Sequence, residues 1–246
     1  MTMEIVGEFL GFGSDKAIYE YFKNHWLAWF PRLGCRTTFT RQCANLSFIK
    51  EEFYKYLSNK YIKNDLLLFD GFPIPTCNPK RVRSKNPLYG EASFGYCAAK
   101  DKKYFGFKGN LLINQDGLIV NFEMTPANGD EQEALLDLAI PGTTVIADKG
   151  LLGNPLKEKL KEMNVEIQTP LRKNMKETRS KHFVYKIMNI RRKIETVIGQ
   201  LTERFNIQRI RAKDTWHLLS KVRRKLCAHV FAFTLAGNTK FEKIIS

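Results

Sequence analysis

The 246-residue chain is short of several things. No apolar run approaches the ~18–20 residues needed to cross a bilayer. The longest, Leu226 to Ala236, is 11 residues with His229 inside it, and reads as a buried helix. Five cysteines (Cys35, Cys43, Cys77, Cys97, Cys227) form an odd set with no C-x-x-C pair, which argues against structural zinc and against a disulfide framework. The first residues carry Glu4 and Glu8 and no basic stretch, so no secretory leader is expected and the chain is assigned to the cytoplasm. His25, His182, His217 and His229 are not spaced as a metal set. Gly11-Phe12-Gly13 lacks the preceding strand that a dinucleotide fingerprint requires. There are no internal repeats and no low-complexity segment.

Acid is scarce in one place only. The chain holds 40 Lys+Arg against 25 Asp+Glu, a net of +15. Residues 1–62 hold 8 basic and 6 acidic side chains, and residues 63–170 hold 13 and 14. Residues 171–246 hold 19 basic and 5 acidic, a net of +14. Between Leu171 and Lys193 nine basic residues stand against one acid, Glu177. Charge so one-sided favours a polyanionic partner, because each cation that neutralises a phosphate releases condensed counterions. The expectation is that this last third holds the anion.

Periodicity divides the chain near residue 62. Ser14-Asp15 caps a helix running to about Phe30, where Pro31 stops it. A second helix spans Leu46 to Ile62. Leu66-Leu67-Leu68-Phe69 reads as a buried strand that ends in the loop Asp70-Gly71. The stretch Lys80 to Gly109 reads as an irregular loop. Asn114-Gln115-Asp116-Gly117, flanked by apolar runs, signals a hairpin. A helix over 131–139, a strand over 143–147, a helix over 155–163 and a strand over 165–169 follow. Phe183, Ile187, Ile190, Ile194, Val197, Leu201 and Phe205 then form one helical stripe, and a last helix covers about 215–235. This order predicts a mixed α/β sheet with helices packed on it, preceded by a small helical region.

Three carboxylates stand out. Asp70 and Asp148 each directly follow an apolar strand, a position that in open α/β sheets opens onto the ligand crevice. Glu195 borders the apolar stripe of the long helix and is expected to face the sheet. Carboxylates from two strand ends and one helix supply hard oxygen ligands for Mg²⁺. Two such ions would activate an attacking oxygen and stabilise a leaving oxygen of a phosphodiester. Arg191 precedes Glu195 by one helical turn, a poor order for helix pairing but a suitable place for a donor to a scissile phosphate.

Six segments carry a resemblance. DGFPIPTCN (70–78), YFGFKGNLLINQDGLI (104–119), TPANGDE (125–131), VIADKG (145–150), IQTPLRKNMK (167–176) and RRKIETVIGQL (191–201) occur in order. Together they resemble bacterial insertion-sequence transposases of the DDE class, RNase H-like enzymes of the compact type without an insertion before the catalytic helix. The resemblance implies that Asp70, Asp148 and Glu195 are the catalytic, metal-holding triad and that Arg191 is the signature arginine beside the glutamate. Met188 and Thr202 stand where the signature usually has Tyr and Lys, and the N-terminal region is shorter than usual.

The implied division is a helical DNA-binding and assembly region over 1–62 and an RNase H-like catalytic domain over 63–246. The implied activity is Mg²⁺-dependent cleavage at transposon ends, with Mn²⁺ a possible substitute, then attack of the freed 3′-OH on target DNA. The implied partner is double-stranded DNA in the bacterial cytoplasm, held by a homo-oligomer and not at a membrane. Lys149, Arg172, Lys173, Arg192 and Lys193 are the expected DNA-backbone contacts. Two other readings fit the same sequence: a shortened, non-catalytic DNA-binding remnant, and a general RNase H-like nuclease.

Overall fold

The computed structural model describes residues 1–61, 65–82, 88–98, 101–171 and 175–236, with the Tyr61 and Arg81 side chains left aside. One six-stranded sheet organises them. Strand β1 (Leu66–Cys77) lies at its centre, antiparallel to β3 (Lys102–Asn114) and parallel to β5 (Thr144–Ile146), which in turn runs parallel to β6 (Glu166–Gln168). Strand β3 carries two neighbours on its outer edge, β2 (Ser93–Cys97) and β4 (Ile119–Pro126). Omitting the short β2, the order β4-β3-β1-β5-β6 with its change from antiparallel to parallel pairing at β1 is that of an RNase H-like sheet.

Period-two alternation along β1 sorts its side chains between two layers. Leu67 and Phe69 join the cluster built on α5 (Glu131–Leu138) and α6 (Asn154–Glu162). Leu68, Phe72 and Ile74 join the larger cluster with Ile187, Ile194, Val197 and Leu201 of α7 (Lys181–Glu203) and the apolar residues of α8 (Thr215–Leu235). The predicted stripe from Ile187 to Leu201 therefore is the sheet-facing side of α7; Phe183, at its start, is exposed, and Phe205 is buried just beyond the helix end at Glu203.

Several boundaries differ from the sequence reading. The 80–109 stretch is not an irregular loop, for it supplies β2 and the first half of β3. Its alternation is hidden by glycines that the sheet requires. A Cβ on Gly106 (φ +157°) would stand 2.3 Å from the Ile74 carbonyl oxygen, where β1 and β3 approach closely. Strand β1 does not end at Asp70 but continues through Pro73 and Pro75. Beyond Leu68 it pairs only with β3, so prolines without an N–H can stand on its open side. In the N-terminal region α2 (Asp15–His25) stops early and gives way to a 3₁₀ turn, Leu27–Trp29. Helices α1 (Thr2–Phe9) and α3 (Arg36–Asn45) were not anticipated, whereas α4 (Ser47–Tyr61) was.

Helix α8 is buried on nearly every side, which accounts for the apolar run at 226–236. It packs against α1 and α4 as well as α7. A cluster of buried charges joins these helices. Lys50 donates to Glu4 (2.5 Å), the Cys43 carbonyl (2.8 Å) and the Ser220 hydroxyl (2.9 Å). Arg224 bridges Glu8 (2.6 Å) and Asp15 (2.7 Å), and Lys225 takes the other Glu8 oxygen at 2.7 Å. Arg224 and Lys225 belong to the basic last third, so part of its excess charge lies inside the protein rather than on its surface. Among the described residues no helix is long and apolar enough to cross a membrane.

Candidate active site

Register brings the two aspartates together. Leu66, Leu67 and Leu68 pair with Thr144, Val145 and Ile146 at a constant offset. Two residues further along each chain stand Asp70 and Asp148. Neighbouring strands lie ~4.8 Å apart, so the register aims both carboxylates into the same space on the α7 side. Strand β5 ends at Ile146, and Asp148 begins the 3₁₀ turn Lys149–Leu151, which frees its side chain from the sheet.

Asp70 accepts a hydrogen bond from the Gly71 N–H (2.9 Å). Burial pushes its carboxyl up to about 6; the Gly71 bond and the Arg191 charge pull it down, while Asp148 and Glu131 push it up. Arg191 answers from α7. Its Nη2 lies 3.1 Å from Asp148 Oδ1 and its Nη1 3.8 Å from Glu195 Oε1. The guanidinium therefore stands among the three carboxylates, closer to Asp148 than to its own helical neighbour. Its Nε is buried and, among the described residues, has no hydrogen-bond partner. Glu195 faces the sheet less than expected, because its side chain is 58% exposed. As placed, no three His, Cys, Asp or Glu side chains among the described residues stand close enough together to hold a metal ion.

The expected backbone contacts are distributed unevenly. Lys149 is exposed directly after Asp148, and Arg192 is exposed beside Arg191. Lys193 leans the other way, its aliphatic stem lying over Gly117 at the β3–β4 turn. Arg172 and Lys173 lie outside the described residues. Glu131, at the start of α5, was not foreseen as a neighbour of Asp70; it pairs with Lys108 at 3.1 Å. Only its motif, TPANGDE, drew attention to the segment.

Residues 62–215, well over half of the chain, match the Transposase DDE domain family. The chain belongs to that family. No curated protein gives a significant match. Among solved structures, the catalytic domain of Mos1 mariner transposase aligns at 13% identity and a TM-score of 0.28, over 68% of this chain and 91% of that one. A pre-cleavage Mos1 transpososome aligns at 16% identity and a TM-score of 0.28, over 93% of this chain and 73% of the other.

Proposed function

We propose that this transposase cleaves DNA at insertion-sequence ends and joins the freed 3′-OH to target DNA, using Asp70, Asp148 and Glu195 with Arg191. The observation that carries the reading is the register match of Asp70 with Asp148 beneath Arg191. In the first step water attacks the scissile phosphorus, and the P–O3′ bond breaks to leave a 3′-OH and a 5′-phosphate. In the second, that 3′-OH attacks a target phosphodiester, and the displaced target 3′-oxygen leaves with a proton.

The donor chemistry of the site fits a divalent cation. Asp70 is disfavoured as an anion by burial and by Asp148, a condition that added positive charge relieves. Asp70, Asp148 and Glu195 would hold Mg²⁺, which when bound supplies activation of the attacking oxygen and neutralisation of the leaving one. Arg191 contributes directly: a phosphate oxygen can replace Asp148 on its guanidinium, which fixes the scissile group against the sheet. Lys149 and Arg192 border the same space and suit the flanking phosphates. Residues 1–62 are assigned to DNA binding and assembly of a homo-oligomer that holds two ends.

The deciding experiment is Mg²⁺-dependent nicking of end-bearing duplex by Asp148→Ala. Loss of nicking with retained duplex binding is expected. Unchanged nicking would overturn the assignment, and cleavage indifferent to the end sequence would make the chain a general nuclease.

A further inference from the structure

A second cationic feature lies away from the carboxylates. The far end of β1 and the segment after α7 enclose an open cleft of ≈ 770 Å³. Five cations line it: Lys80, Lys102, Lys103, Arg209 and Arg211. They come from three separate parts of the chain, the turn after β1, the first residues of β3, and the 3₁₀ turn Ile207–Arg209 with its continuation. Among the described residues no acid lines the cleft. All five side chains are exposed, and among the described residues none has an ion-pair partner. Asp101, the acid next to Lys102 in sequence, accepts a hydrogen bond from the Tyr96 hydroxyl. Pro73, Pro75, Tyr104 and Ile210 add apolar surface to its lining.

We propose that this cleft grips the phosphate backbone of a DNA duplex, independently of base sequence and apart from the carboxylate centre. Five cations around one concavity, without an ion-pair partner among the described residues, repel one another, so the complementary occupant is a closely spaced row of anions. Duplex DNA presents one charge per ~1.7 Å of its axis, a density that five cations within one cleft can meet together. Cys77 stands seven residues beyond Asp70, roughly 23 Å along the strand. That separation exceeds any single phosphate contact yet lies well within the length of a bound duplex. The proposal rests on the transposase reading for the choice of DNA as the polyanion; the grip itself rests on the cleft.

The test is fluorescence anisotropy of the full chain in EDTA with labelled duplexes of roughly 30 base pairs, across about 50–300 mM salt. One duplex carries an insertion-sequence end and the other is scrambled. Two variants are compared with the parent, Lys102→Gln/Lys103→Gln and Arg209→Gln/Arg211→Gln. Each should reduce the slope of log K against log salt by about 1.8, since each lost phosphate contact removes ~0.9, and by the same amount on both duplexes. The exposed positions leave thermal stability as a check that the fold persists, and Lys102→Glu/Lys103→Glu should enlarge the loss. An unchanged slope in folded variants overturns the proposal. So does a loss confined to the end-bearing duplex, or an unchanged duplex slope with weakened binding of polyglutamate, which would assign the cleft to an acidic protein segment. Asp148→Ala should keep the parental slope, so failure here and failure of the nicking assignment are separate results.

Discussion

The protein contains two clusters of opposed charge, and they differ in every respect that matters for function. Glu4, Glu8 and Asp15 meet Lys50, Arg224 and Lys225 in the interior, where each residue is at most 7% exposed. Their contacts are short, and three helices of the N-terminal region are thereby fixed to α8. Asp148 and Glu195 pair with a single arginine whose charge also reaches Asp70, with longer contacts and an unpartnered Nε among the described residues. Three acids face four bases in the first cluster, since Lys221 also reaches Asp15 (3.3 Å); three acids stand around one base in the second. Buried charge with a base for every acid fixes architecture, whereas acid-rich charge that reaches water retains capacity for a ligand.

The largest expected difference comes from deleting one arginine in each cluster. Arg224→Met takes the guanidinium from buried Glu8 and Asp15, which keep only Lys225 and Lys221, and breaking buried pairs of this kind typically costs about 3–5 kcal/mol. Arg191→Met should change the urea unfolding free energy by no more than about 1 kcal/mol, because its partners reach water. Nicking should disappear in the second variant while the fold persists. Equal destabilisation by the two substitutions would erase the contrast.

Next in size is a gain. The Asp70 carboxylate is held in a site that disfavours its charge, so the metal-free fold carries a penalty at neutral pH. Asp70→Asn should raise stability by about 1–3 kcal/mol at pH 8 in EDTA, while abolishing nicking. A destabilised Asn variant would show that the carboxylate is architectural after all.

Outside both clusters, His229 is buried on α8 and hydrogen-bonded to Gln200 (3.0 Å). Burial holds its imidazole down to about 3. The unfolded chain takes up a proton near pH 6.5 that the folded chain refuses, so stability declines as pH falls from there toward 3. The parent's slope should exceed that of a folded His229→Gln variant by up to about 1.4 kcal/mol per pH unit, the remaining slope in both proteins coming from groups such as Asp70. Denaturant titrations across pH 4–7 read it directly; an identical slope in both proteins would refute the account.

What could be read from the sequence follows the same division. Asp70 and Asp148 were legible because each ends an apolar run, and α7 because its stripe recurs at helical spacing. Strand β3 was misread because Gly106, Gly109 and the flanking lysines interrupt its alternation, although close contact with β1 is what requires those glycines. The buried charge cluster was illegible: Arg224 lies more than 200 residues from Glu8 and Asp15, and nothing local marks any of them as interior. The cationic cleft escaped notice for the same reason. Lys80, Lys102 and Lys103 belong to a stretch whose net charge is near zero, and only the fold sets them beside Arg209 and Arg211.

The smallest expected effect is the sharpest test of the open cluster. Glu195 lies 3.8 Å from Arg191 and is more than half exposed, so the pair is weak, and Arg191 keeps Asp148 without it. Glu195→Gln should therefore alter stability by less than about 0.5 kcal/mol, the range of exposed helical pairs. Under the proposed mechanism nicking should nonetheless fall as severely as with Asp148→Ala, because the lost oxygen would hold the cation rather than brace the fold. A variant with ordinary nicking would remove Glu195 from the triad while leaving the two aspartates in place. A variant losing several kcal/mol would instead mean that Glu195 behaves like the buried acids, and the distinction between the two clusters would fail at its most exposed member.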